Sequence, residues 1–111
     1  MELKLKKTLC PKKGTIIIQG TFNDGYKAYF EEYSFKVQSF LKKNKTTIIR
    51  RQLISKTLYG YEKPSLIMLI DFEDTEIALK IFFEEEYISL IPLRDKVFKS
   101  FKMYLADFGN V

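Results

Sequence analysis

The chain has 111 residues, with 19 Lys and Arg against 14 Asp and Glu, a formal net charge of +5 at pH 7, 46% hydrophobic and 30% charged residues. That is the length of one domain and the balance of a chain that builds a core instead of staying disordered. His and Trp are absent, which excludes a Ser-His-Asp or Cys-His relay, a His-ligated zinc or haem, and a histidine pH switch.

Residues 1–13 hold five Lys and one Glu, net +4, and read as a basic extension ahead of a single domain over 14–111. Their Leu and Lys alternate with no apolar signal-peptide stretch. The longest aliphatic run, Leu66 to Ile70, is far short of the roughly 20 residues that cross a bilayer. The expected address is cytoplasmic, without a membrane partner. Cys10 is the sole cysteine, which rules out an intrachain disulfide. With no base beside it, it reads as an incidental thiol and not a nucleophile.

Gly14 to Phe22 is short and β-branched, bounded by Gly14 and by Asn23-Asp24-Gly25, and predicts a strand followed by a turn and helix cap. Tyr26, Tyr29, Phe30, Tyr33, Val37, Phe40 and Leu41 then fall on one helical face, predicting a helix from Asp24 to Lys43. Thr46 to Tyr59 reads as a long strand bending near Ser55-Lys56, with a turn at Tyr59 to Pro64 and a partner strand over Ser65 to Phe72. Asp74-Thr75 caps a second helix carrying Ile77, Ala78, Ile81, Phe82 and Tyr87. Pro92 starts a short separate helix around Leu93 to Phe98, and Phe101 to Phe108 closes as a strand.

The order β-α-β-β-α-β is that of an α+β, ferredoxin-like domain, with two helices on one face of a four-stranded antiparallel sheet. A sheet with one wet face alternates apolar and polar residues. Here Ile16-Ile17-Ile18 and Leu66-Ile67-Met68-Leu69-Ile70 are apolar at consecutive positions, so both faces of two strands call for burial. The helices cover one face, and a second copy covers the other most simply, as a C2 homodimer forming a dimeric α/β barrel.

Charge is segregated along the body: residues 14–35 carry −2, residues 36–63 carry +7 and residues 71–86 carry −6. A basic block attracts polyanions. Matched by an acidic block, it reads more simply as a solvated face or as complementary patches within an assembly.

The chain resembles the small bacterial proteins of the domain of unknown function 1330 family, within the dimeric α/β-barrel superfamily, over roughly Gly14 to Phe108. The resemblance is carried by Asp71-Phe72 at the end of the third strand and by adjacent aromatics in the second helix, Phe82-Phe83. It is carried further by Glu86-Tyr87-x-x-Leu90-x-x-Leu93-Arg94 and by the Tyr26-x-x-Tyr29 opening of the first helix. Three departures stand out. The family usually has Trp-Tyr at Phe82-Phe83, a glycine-rich strand end at Arg50-Arg51-Gln52-Leu53, and Glu-Gly where Tyr59-Gly60 stand. The resemblance implies the fold and the dimer; the family has no assigned activity to carry over.

Arg94 follows Pro92-Leu93 and has the group that clamps a carboxylate bidentately; the alternative is an ion pair with Asp71 or another acid that ties helix to sheet. Asp71, alone among apolar strand residues, is a partner for Arg94 or Arg50, or a general base. Tyr87 offers a hydroxyl to a pocket or is core with its hydroxyl satisfied. Gln19, the polar exception in an aliphatic strand, belongs in a cleft, at the dimer seam, or bonded to a neighbouring strand. Glu84-Glu85-Glu86 lacks calcium-loop spacing, and neither a glycine-rich phosphate loop nor a Cys/His metal set is present.

The favoured function is therefore binding, with or without transformation, of a small acidic or polar molecule between sheet and helices, without metal or other cofactor. Related barrels of the superfamily include metal-free oxygenases and isomerases. A structural or regulatory dimer without substrate is the second reading. An RNA-binding module ranks below both, because the third strand, Ser65 to Phe72, lacks the stacking aromatics such modules place centrally.

Overall fold

The computed structural model describes residues 13–107; residues 1–12, with most of the basic extension and Cys10, and the predicted strand end at Phe108 lie outside them. Four strands, β1 (Gly14–Phe22), β2 (Thr47–Leu53), β3 (Leu66–Phe72) and β4 (Phe98–Asp107), form one antiparallel sheet in the order β2-β3-β1-β4. Its helices are α1 (Lys27–Lys43), α2 (Thr75–Ile81), α3 (Glu85–Ile88) and α4 (Ile91–Val97). The fold is ferredoxin-like α+β, as the element order predicts.

Strand parity sorts the aliphatic runs between two faces. Ile16 and Ile18 of β1, opposite Ile70 and Met68 of β3, are buried under the helices together with Leu66 and Phe72. The intervening Ile17, Ile67 and Leu69 look the other way and are only half-buried. Helical cover is supplied by Tyr33, Val37, Phe40 and Leu41 of α1, at the i, i+4, i+7, i+8 spacing of one helical stripe. Gly20 is required by a close approach: a Cβ there would meet the Phe98 ring at 2.5 Å.

Four boundaries differ from the sequence-based expectation, each for a physical reason. The first helix begins at Lys27 and not Asp24 because Gly25 adopts φ +75, a left-handed turn that precedes the helix. The second strand ends at Leu53 and not Tyr59. Ile54 N–H still bonds Ser65 C=O at 2.9 Å, but beyond it the chain leaves the sheet as a loop. The second helix is broken into α2 and α3. Ile81 and Tyr87 are six residues apart, which on a continuous helix would turn one about 120° away from the other; the break after Ile81 buries both. The last helix starts at Ile91, with Pro92 in its first turn, and β4 follows at once from Phe98 and not Phe101. The predicted Asp74 cap is present, its carboxylate accepting the Glu76 N–H at 3.0 Å.

The close fit at Gly20 is expected to be sensitive to one carbon. Gly20→Ala should lower the unfolding free energy by about 1–3 kcal/mol, the usual cost of overpacking, measured by urea denaturation at fixed protein concentration. An unchanged midpoint would contradict the packing described.

Candidate functional site

Inside the aromatic core beneath the helices, three polar side chains converge. Tyr33 is on the buried stripe of α1, Tyr87 on the single turn α3, and Arg94 on α4. The two tyrosines are 6% and 4% exposed. The Tyr87 hydroxyl lies close enough to Tyr33 to help hold its proton, and Arg94 Nη1 donates to Tyr87 Oη at 3.4 Å. The guanidinium is fixed on two further sides: Nε faces Asp95 Oδ1 at 3.4 Å, and its carbon lies 4.7 Å from the centroid of the Phe101 ring. A cation over an aromatic face is attracted by the ring quadrupole.

The electrostatics keep Tyr33 and Arg94 each in one state. Burial first, then the neighbouring Tyr87, hold the Tyr33 phenol protonated far above the ordinary tyrosine value. Burial alone would lower the pKa of Arg94, but the Tyr87 hydroxyl and the charge of Asp95 outweigh it and raise it. The site therefore sets a fixed cation near the neutral Tyr33 phenol.

These tyrosines line a narrow cleft between sheet and α1, otherwise walled mainly by apolar groups such as Ile18, Val37, Met68 and Phe82. Its volume is about 20 Å³, about one water position. Phe30, Ser34 and Arg51 complete the lining. Arg51 Nη1 donates to Ser34 Oγ at 2.8 Å with its guanidinium 5.8 Å from the Phe30 ring centroid.

Of the five residues singled out from the sequence, Arg94 and Tyr87 come together and the other three lie elsewhere. Asp71 sits between Ile70 and Phe72, both turned to the helices, so parity turns it to the open face. Its carboxylate accepts the Thr15 hydroxyl at 2.6 Å, and its backbone carbonyl accepts the Thr46 hydroxyl at 2.6 Å. The expected Asp71–Arg94 ion pair is thus not formed, because the sheet separates the two, and Arg50 does not pair with Asp71 either. Gln19 is on the open face, in register with Ile67 and Lys102 and beside Lys63. Arg50 faces the groove along the β2 edge with Gln38 and Lys42. Sequence reasoning missed Tyr33 as a site residue, having counted it only as part of the apolar stripe. The available signal was that its hydroxyl, at a core position, must find a polar partner.

Among the described residues no group of three or more His, Cys, Asp or Glu is arranged to hold a metal ion, and no helix is long and apolar enough to cross a membrane.

The family model described as Domain of unknown function (DUF1330) matches residues 13–107. The chain belongs to this family. Several solved structures share its fold at low identity. A protein of unknown function from Rhodopseudomonas palustris is 6% identical, with 99% of this chain and 94% of that chain covered and a TM-score of 0.75. A dimeric ferredoxin-like protein of unknown function from Bacteroides fragilis is 8% identical, with 86% and 96% covered and a TM-score of 0.60. SnoaB, a cofactor-independent oxygenase from Streptomyces nogalater, is 9% identical, with 90% and 96% covered and a TM-score of 0.59. No curated protein matches the chain.

The raised Tyr33 pKa has a consequence for stability. The folded chain holds this proton more tightly than the unfolded chain, so its contribution is complete below about pH 10, the ordinary tyrosine value, and is lost as pH rises above it. Tyr33→Phe should show a shallower alkaline fall in unfolding free energy than the wild type. Equal slopes would contradict the buried, protonated phenol.

Proposed function

We propose that the protein is a homodimer joined through the open faces of its two sheets, and that each protomer binds a small acidic or polar molecule at the Tyr33–Tyr87–Arg94 cluster. The observation that carries the binding reading is that two buried tyrosines line a mainly apolar cleft and one of them accepts a hydrogen bond from the Arg94 guanidinium beside it. The guanidinium brings five N–H donors, and its contacts with Tyr87 and Asp95 use two. The surplus of donors favours an acceptor-rich ligand, a carboxylate above all, whose apolar part meets the aromatic wall. The likeness in fold to a cofactor-independent oxygenase is compatible with chemistry on the bound molecule, carried by Arg94 and the two tyrosines.

The dimer is supported by the half-buried Ile17, Ile67 and Leu69 at the centre of the uncovered face and by the dimeric neighbour of the same fold. A second reading, a dimer that holds no substrate, is favoured by the small volume of the cleft.

Two measurements test these readings. In a thermal-shift screen of small aromatic carboxylates, beginning with benzoate and salicylate, a binder at several times its Kd should raise the wild-type Tm by about 4 °C or more. The shift should vanish in Arg94→Ala and shrink in Tyr87→Phe; shifts that survive Arg94→Ala would place the ligand elsewhere, and a screen with no response would favour the substrate-free dimer. By light scattering at micromolar concentration the full chain should have the mass of two copies and Leu69→Glu the mass of one. A monomeric wild type would overturn the dimer.

A further inference from the structure

The loop over residues 54–65, between β2 and β3, is a shaped projection. Its ends are tied by the Ile54–Ser65 backbone hydrogen bond, and its tip is clasped by the Thr57 hydroxyl, which donates to the Glu62 carbonyl at 2.9 Å. Gly60 turns the tip with φ +114. The Glu62 carboxylate is engaged by Lys102 at 3.4 Å. The tip presents Leu58, Tyr59 and Tyr61 at 92%, 98% and 108% exposure, flanked by exposed Lys56 and Lys63. Single exposed apolar residues are ordinary. Three large ones within four positions on a clasped loop are presented together to solvent, as at interaction surfaces.

A second exposed patch has the opposite charge. Leu79 and Phe83, 50% and 78% exposed, are four residues apart along α2 and the turn that follows it, so they share one side. Glu76 precedes them and Glu84 and Glu85 follow, all exposed, within the stretch 71–86 that carries a net −6. The loop leaves the Leu66 end of β3, whereas α2 begins beyond its Phe72 end, about 20 Å of strand away. The loop side chains touch nothing of this patch in their own chain.

We propose that the 54–65 loop of one copy docks on the Leu79–Phe83 patch of a second copy, with Lys56 and Lys63 set against Glu76, Glu84 and Glu85. The contact rests on the homodimer proposed above, whose two-fold axis would form it twice. Apolar residues of both patches leave water together, and the opposed charges select the register. The clasp at Thr57 and Glu62 pre-orders the tip, which lowers the entropic cost of docking. Tyrosine is well suited to this role, since it adds large contact area with few rotatable bonds.

The test uses the full chain in a Cys10→Ser background. Tyr59→Cys and Phe83→Cys combined should give, on mild oxidation, a disulfide-linked dimer that neither single substitution gives. The variant L58S/Y59S/Y61S should keep the wild-type circular dichroism, because these side chains are exposed, and should raise the dimer dissociation constant by about tenfold or more in sedimentation velocity. L79S/F83S should do the same. Mixing the loop variant with the patch variant restores one intact contact and should give heterodimers tighter than either homodimer. If Leu69→Glu dissociates the dimer while the loop and patch variants do not weaken it, the docking is overturned and the dimer stands. A wild type that is monomeric overturns both. Co-sedimentation of the wild type with phosphatidylglycerol vesicles, lost in the loop variant, would assign the loop to a lipid surface and overturn the docking on a second copy.

Discussion

Successive side chains of a β-strand point to opposite faces of the sheet, and in this chain both central strands are apolar at successive positions while all the helices lie on one side. That mismatch organises the rest of the molecule. Ile16, Ile18, Met68, Ile70 and Phe72 go under α1 and α2 to α4, whereas Ile17, Ile67 and Leu69 remain on a face no helix covers. Completing the burial of those three is worth about 1 kcal/mol each. The same parity sends Asp71 and Gln19 to the open face and leaves the helix side to the tyrosines and Arg94.

On the helix side the packing is aromatic. The Phe98 ring rests on Gly20 and is neighboured by Phe22, Tyr33 and Phe101, while Phe40, Phe72, Phe82 and Tyr87 form a second group. The two groups meet at the Tyr33 and Tyr87 hydroxyls. Breaking the helical region after Ile81 makes this possible, because on a continuous helix Tyr87 would be turned about 120° away from the buried Ile81. The Phe101 ring beneath the guanidinium holds Arg94 beside the Tyr87 hydroxyl.

How much of this was legible depended on whether a signal was local. The strand faces, the Asp74 cap, the Pro92 start and the helical stripe of α1 follow from side-chain spacing, which encodes local geometry directly. The end of β2 did not, because Thr57, Leu58 and Tyr59 have good strand propensity, so the interruption at Ser55-Lys56 reads as a bend within a longer strand. The break after Ile81 was hidden for a related reason: the requirement to bury both Ile81 and Tyr87 is tertiary. At the site, Arg94 and Tyr87 stood out by type and position, whereas Tyr33 was masked by its apolar neighbours. Asp71 was legible as unusual but not as a Thr15 acceptor, since that bond joins residues 56 positions apart.

The central claim is that the uncovered sheet face, carrying the aliphatic residues that strand parity turns away from the helices, is covered by a second copy of the chain. Isotope-filtered nuclear Overhauser spectroscopy on a mixture of labelled and unlabelled chains reads this directly. The account predicts contacts between chains from the methyl groups of Ile17, Ile67 and Leu69. Contacts between chains that come instead from the outer side of α1, around Phe35, with none from these three residues, would contradict it.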